Sequence, residues 1–335
     1  SMAAIQADIM GFAEVNQDTS NYDIKRQLEA VAAKQFGQMR LIAATSNRAV
    51  RKTFKPGGTM MLTTNSMAKW IHETSRDRMG RWVTTRYRGE NNQKLSVIMA
   101  YQVCQHKRTG HNTAVNQQIN MILEEAVAND IHTRLNPREA FINDLIHFIR
   151  TRQLDGDKII LIGDFNETMT DPNSGISRLF FSCGLLDAFG LKLGTVSAPP
   201  TYKRSDRRID FVGMSPEIYE GVIRMGYEPF DYRGVHSDHR GLYLDLALDI
   251  LIGSEHTQIQ PSRTRDFSAD KPDVVVKYIE TKYNELIKHN IVARLQQLEQ
   301  TSSPNHQLAE KIDRDMARAA RIAAKAVKTR NQTPW

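Results

Sequence analysis

Three short stretches of this sequence set acids, an amide and an imidazole where an apolar strand begins or ends. Gly163-Asp164-Phe165-Asn166 follows directly on the apolar run Ile159-Ile160-Leu161-Ile162. Side chains alternate along extended backbone, so Asp164 and Asn166 can face one pocket while Phe165 turns into the core. Asp and Asn are also common turn formers, and for the tetrapeptide alone a strand-ending turn is the better reading. Ser237-Asp238-His239 lies just before the apolar segment Leu242 to Leu248. It offers a metal-seeking carboxylate beside an imidazole, and neither is easily buried without a partner. Asp210, within Arg208-Ile209-Asp210-Phe211, interrupts an otherwise apolar strand. His239 is its natural partner, and pairing with Arg207 or Arg208 is the competing reading. A carboxylate that fixes a histidine tautomer suits a site where imidazole meets developing negative charge. Near the start, Met10-Gly11-Phe12-Ala13-Glu14-Val15 brings Glu14 to a strand terminus, where a solvated surface acid is the plainer explanation. Magnesium takes only one or two protein carboxylates and keeps several waters, a demand that Glu14 and Asp238 together meet.

The elements that must position these residues form an α/β or α+β pattern between about residues 38 and 248, with short apolar strands alternating with amphipathic helices. Strands are expected at Met39 to Ala44, Thr59 to Thr63, Trp82 to Arg86, Leu95 to Tyr101, Ile159 to Ile162, Ile209 to Met214 and Leu242 to Leu248. The segment from Ile159 to Ile162 is apolar on both faces and belongs in the middle of a sheet covered from both sides. Helices are expected at Tyr22 to Phe36, Thr113 to Ile131 and Pro137 to Arg152, the last with Asn136 as its cap. This organisation divides the chain into a catalytic domain at 1–249 and an extension at 250–335. The extension begins with a polar linker around Pro261, Ser262, Arg263 and Arg265. It continues with two amphipathic helices separated by Ser302-Ser303-Pro304, and residues 250–335 thus make up a linker plus two basic helices. The second helix carries Lys311, Arg314, Arg318, Arg321, Lys325 and Lys328 on one face. That face fits a solvated helix surface or contact with nucleic acid.

The net charge of +7 over 335 residues points toward an anionic partner. No apolar run is long enough to span a bilayer, which excludes a membrane-embedded protein. Cys104 and Cys183 are too few for a disulfide framework and favour a reducing compartment. No secretory signal opens the sequence, and Ser1-Met2 has the look of a cloning scar ahead of native sequence.

Taken in order, Phe12-Ala13-Glu14, Tyr101 closing Val97-Ile98-Met99-Ala100, Gly163-Asp164-Phe165-Asn166, Arg208-Ile209-Asp210-Phe211 and Ser237-Asp238-His239 resemble the markers of the endonuclease/exonuclease/phosphatase family. The resemblance covers residues 8 to 248 and implies a two-sheet, four-layered α/β sandwich. It implies that Glu14 and Asp238 serve a metal, magnesium or alternatively manganese, and that Asp164 orients or deprotonates the attacking water. Asn166 and Tyr101 would contact phosphate, and Asp210 would hold His239 against the pentacovalent transition state of phosphodiester hydrolysis. Such domains begin with a strand ending in Asn. Here that first strand is missing, and Ala3 to Met10 resemble the helix expected to follow it. Tracts such as Pro56-Gly57-Gly58-Thr59 and Asp77-Arg78-Met79-Gly80-Arg81-Trp82 are similar to endonuclease domains of non-LTR retrotransposons, and the basic extension is similar to the segment preceding a reverse transcriptase. The resemblance therefore implies a DNA-nicking endonuclease, a reverse transcriptase in the same polyprotein, and an intracellular, nuclear location. Lys203, Arg204, Arg207 and Arg208, just ahead of Asp210, could grip a DNA backbone or form a solvated loop. A phosphatase for small or lipid phosphoesters and a catalytically inactive nucleic-acid-binding module are the alternatives.

Overall fold

A computed structural model describes residues 7–48, 54–104, 113–128, 136–194, 198–230, 237–253, 271–300 and 305–327. The chain divides into two units, Ser1–Glu255 and His256–Trp335. In chain order the first unit contains β1 (Ile9–Ala13), α1 (Tyr22–Phe36), β2 (Met39–Ala44), β3 (Thr59–Thr64), β4 (Ile71–Arg76), β5 (Trp82–Arg88), β6 (Lys94–Tyr101), α2 (Ala114–Ala128) and α3 (Pro137–Leu154). Then follow β7 (Lys158–Asp164), α4 (Gly175–Cys183), β8 (Leu186–Asp187), α5 (Ala188–Leu193), β9 (Asp210–Met214), α6 (Pro216–Tyr219), β10 (Val222–Tyr227), β11 (Leu242–Leu246) and α7 (Leu248–Ile252).

The first unit is a mixed α/β sandwich. A six-stranded sheet, ordered β4-β5-β6-β7-β9-β8, holds β7 near its middle, parallel to β6 and antiparallel to β9. Alternation along β7 sends Ile160 and Ile162 to one face and Ile159 and Leu161 to the other, so both faces must be covered. On the first face lie a three-stranded sheet, β1-β3-β2, and the hairpin β10-β11, packed through Ala44, Met61, Met99, Ile160, Val212 and Met225. On the second face α3 and α4 pack through Phe141, Leu145, Leu179 and Phe180 around a cluster containing Trp82, Phe165 and Phe211. Helix α1 covers the outside of the three-stranded sheet through Ala32, Phe36, Leu41 and Leu62, completing four layers.

The structure revises several sequence expectations. Ile9 and Met10 are not helical: both pair with β3, at Thr63 and Leu62, and Met10 is buried beneath α1, so sheet pairing decides their conformation. Among the described residues no strand pairs with the outer edge of β1 or of β11, which leaves the second layer in two pieces. Strands β4 and β10 arise from segments too polar or too half-exposed to show a strand pattern. The chain after Asp249 still belongs to the first unit, because Leu251 and Ile252 of α7 are buried in its core. The expected linker and the Ser302-Ser303-Pro304 break lie outside the described residues.

Among its described residues the second unit has three helices rather than two: α8 (Pro272–Lys288), α9 (Ile291–Glu299) and α10 (His306–Val327). Asn290, with φ of 49°, takes up left-handed backbone and ends the long helix that apolar spacing alone suggested. No helix among the described residues is long and apolar enough to cross a membrane.

Candidate active site

Register builds the centre of the site. Tyr101, Asp164 and Asp210 end or begin three adjacent strands and pair directly, Tyr101 with Asp164 and Asp164 with Asp210. By alternation all three side chains belong to the face shared with the three-stranded sheet and the hairpin. The strands approach closely here: a Cβ on Gly163 would sit 2.4 Å from the carbonyl oxygen of Ala100, so only glycine fits just ahead of Asp164. Phe165, fully buried on the opposite face, anchors the chain between them.

His239 arrives on the segment before β11, bridged in antiparallel fashion to Tyr202, whose ring lies 5.1 Å from the imidazole. Its Nδ1 is 2.9 Å from Asp210 Oδ2 and its Nε2 is 4.0 Å from Asp164 Oδ2. The Thr201 hydroxyl, also buried, accepts the backbone N–H groups of Ile209 and Asp210 and fixes the start of β9. Asn166 grips both oxygens of Asp164, through its backbone N–H at 2.9 Å and its Nδ2 at 3.1 Å. The same Nδ2 donates to the Gln102 carbonyl, and Cys104 donates its thiol proton to Asn166 Oδ1 at 2.9 Å. Arg138 at the start of α3 ties these loops together, donating to the carbonyls of Val103 and Asn166.

Glu14 closes the site from the end of β1. It accepts a 2.5 Å hydrogen bond from the Tyr101 hydroxyl. Glu14 and Asn166 both adopt positive φ, 50° and 48°, a conformation that costs free energy at non-glycine residues and that collects at functional sites. The turn at Glu14 is held because Val15 and Asn16 donate their N–H groups to Gly58 and Gly57.

Electrostatically the cluster is unbalanced. Burial, aided by the facing charge of Asp210, pushes the Asp164 carboxyl well above the usual carboxylate range. Burial by itself would depress His239, but the hydrogen bond and charge of Asp210 outweigh it and carry the imidazole up to about 9. Burial and the neighbouring Glu14 raise the Tyr101 phenol, which stays protonated and donating. The Cys104 thiol rises to about 11, through burial and the charges of Asp164 and Glu14.

Ligand atoms of Asp164, Asp210 and His239 all lie within 4.8 Å of one another. Two buried carboxylates beside a glutamate, with no arginine or lysine among the described residues paired to either carboxylate, make an oxygen-rich donor set that fits a hard divalent cation. Glu14 and Asp238, expected from sequence to share the metal, are not part of that trio. Asp238 is half-exposed, 3.9 Å from Arg204, and its carbonyl accepts from the Lys203 N–H.

The basic loop ahead of β9 separates into two kinds of residue. Lys203, Arg204 and Arg207 are exposed. Arg208 is not: it is buried, paired through both terminal nitrogens with Asp187 and stacked over Phe211 at 4.3 Å. It is a structural ion-pair partner and is withdrawn from the expected DNA-gripping set. Sequence reasoning also overlooked Cys104, Arg138, Thr201 and Tyr202. Tyr202, directly before the basic loop, offered the only local hint, an aromatic residue that the loop would carry toward His239.

No family model matches the chain, and no curated protein matches it. Solved structures with a similar course of backbone include a 3' phosphatase, NExo, from Neisseria bound to a product DNA hairpin. It is 14% identical, with 73% of this chain and 91% of that chain covered and a TM-score of 0.48. The AP endonuclease LMAP from Leishmania major is 14% identical over 72% of this chain and 79% of its own, with a TM-score of 0.48. The human Nocturnin catalytic domain with bound sulfate is 15% identical over 73% and 83%, with a TM-score of 0.45.

Proposed function

We propose that the protein is a magnesium-dependent phosphodiesterase that nicks DNA by in-line attack of water. One observation carries this reading: Asp164 and Asp210 face each other, buried, at the end of the central strands, and Asp210 clamps His239, whose Nε2 side points toward Asp164. Asp164, with Glu14 and Asp210 beside it, would hold the cation, whose positive charge at a phosphate oxygen is the chemistry it supplies. The remaining work falls to the chain. Asp164, oriented by Asn166, accepts the proton of the attacking water. His239, fixed by Asp210, presents its Nε2 proton to an oxygen that gains negative charge. Asn166 and Tyr101 line the phosphate position, and Asp238 stands at the open rim. The exposed Lys203, Arg204 and Arg207 extend positive charge along the path of a nucleic-acid backbone. The ordered motifs shared with the endonuclease/exonuclease/phosphatase family support the same chemistry. The likeness of Pro56-Gly57-Gly58-Thr59 and Asp77-Arg78-Met79-Gly80-Arg81-Trp82 to retrotransposon endonuclease tracts supports a role in nicking ahead of reverse transcription.

The test is nicking of supercoiled plasmid with magnesium and with EDTA. EDTA is expected to abolish the activity, and His239→Ala to lower it about 10²- to 10⁴-fold. Full nicking by His239→Ala would overturn the assignment. Cleavage of small phosphoesters with plasmid left intact would favour the phosphatase alternative.

A further inference from the structure

We infer that α10 of the second unit is a docking rail for the phosphate backbone of nucleic acid, separate from the candidate active site. Lys311, Arg314, Arg318, Arg321 and Lys325 recur at steps of three and four residues, and all five are exposed. At about 100° per residue these steps confine the cations to an arc of about 80°, and at about 1.5 Å per residue they extend along about 21 Å of helix. The stripe is therefore straight, narrow and one-sided. Among the described residues Arg314, Arg318, Arg321 and Lys325 form no ion pair, whereas Asp315 is engaged by Arg294 at 2.7 Å. From Met316 to Val327 the helix carries three cations and no acid. Its other neighbours there are mostly alanines, short enough to let a rod-shaped polyanion approach the helix closely.

The opposite face fixes the orientation. Ile312, Ala319, Ala323 and Val327 are buried, and α10 packs along α8, so the helix cannot roll to present a different side. No Phe, Tyr or Trp lies within α10, and the stretch from Lys311 to Lys325 that bears the cations has no aromatic ring, so the face offers no platform for stacking bases. The chemistry is that of sequence-independent contact with phosphates through guanidinium forks. An anionic membrane is less well matched. A membrane-surface helix needs an apolar face beside its cations, and here the apolar face of α10 is occupied. The exposed apolar side chains Val276, Ile279, Tyr283 and Ile287 sit on α8 instead.

The experiment measures binding of the full chain to a fluorescent 25-base-pair duplex in EDTA, so that the result does not depend on catalysis. Arg314→Gln/Arg318→Gln/Arg321→Gln removes charge from exposed positions and keeps good helix formers. Circular dichroism checks that the fold is retained. The triple variant is expected to bind at least tenfold more weakly at 0.15 M salt, with the slope of log affinity against log salt reduced by about 2 to 3. Arg→Lys at the same positions should restore most of that slope. Unchanged affinity and slope in the triple variant would overturn the proposal. So would tight, stripe-dependent binding to phosphatidylserine vesicles accompanied by weak binding to the duplex. Failure of plasmid nicking would leave this result untouched, and failure here would leave the active site untouched.

Discussion

The two ends of strand β7 both carry buried carboxylates and use them in opposite ways. At its start, Asp157 is fully buried and accepts from Arg86 at 2.6 Å and from the Ser96 hydroxyl at 2.7 Å. Arg86 and Arg152 share Glu73, and the hydrogen bond from Arg152 holds that carboxyl below its usual range. Every acid at this end has a cation of the chain's own. At the other end Asp164 and Asp210 face each other with Glu14 close by, and their partners are a histidine, a tyrosine and the neutral amide and backbone of Asn166, with no arginine or lysine paired to Asp164 or Asp210 among the described residues. The first end is electrically closed and serves stability. The second is electrically open, and its cost is what the proposed function accounts for with a cation and a substrate that arrive later.

Breaking the closed end should have the largest effect on folding. Asp157→Ala takes from half-buried Arg86 its shortest ion pair and from the buried Ser96 hydroxyl its acceptor, and a loss of about 1–3 kcal/mol in urea unfolding is expected. Nicking per folded molecule should stay unchanged, because nothing at that end reaches the site.

Changing pH should act on the open end. The folded-state pKa of His239 lies near 9, above its unfolded value, so its contribution is complete below about 6.5 and is lost as pH rises toward 9. Asp164 is also raised, so it too binds its proton more tightly when folded, and its contribution fades in the same direction. In EDTA the melting temperature should therefore fall between pH 6.5 and 9. Magnesium, which favours the ionised carboxylate, should flatten that fall, and calorimetry across this range measures both curves.

The smallest expected effect belongs to the rim. Lys203→Ala/Arg204→Ala should raise the KM for plasmid severalfold at 0.15 M salt and leave kcat and melting temperature almost unchanged, since both side chains are solvated. Steady-state kinetics at two salt concentrations separates these effects.

How far the sequence foretold this arrangement depends on the distance over which each contact acts. Asp164 and Asn166 were legible because Ile159 to Ile162 is apolar on both faces and the motif follows it at once. Asp210 and His239 were legible together because a carboxylate inside an apolar strand demands a partner. Arg208 was misread because adjacent arginines look alike in sequence, and its true partner, Asp187, is fixed only when β8 and β9 pair. Cys104, on a loop, and Arg138, at the start of α3, reach Asn166 from far away along the chain, and Thr201 meets Asp210 only because its own loop folds back on β9. No local pattern records such meetings. Edge strands β4 and β10 were lost for a related reason: one or both faces meet water, and their polar residues dilute the alternation that exposes a buried strand. At Ile9 and Met10 the family resemblance implies the end of a helix, whereas the apolar run from Met10 places Glu14 at a strand terminus; pairing with β3 decides for the strand.

The comparison between the two ends is tested most directly by melting the wild type and Asp164→Asn side by side at pH 8, in EDTA and in excess magnesium. The amide keeps the shape of Asp164 and removes the charge that faces Asp210. In EDTA the variant should melt at or above the wild type. Excess magnesium should raise the wild type alone, by about 2.7 kcal/mol of stabilisation at a hundredfold excess over Kd. An Asp164→Asn protein that melts well below the wild type in EDTA, or that gains as much from magnesium, would contradict an open, cation-accepting end.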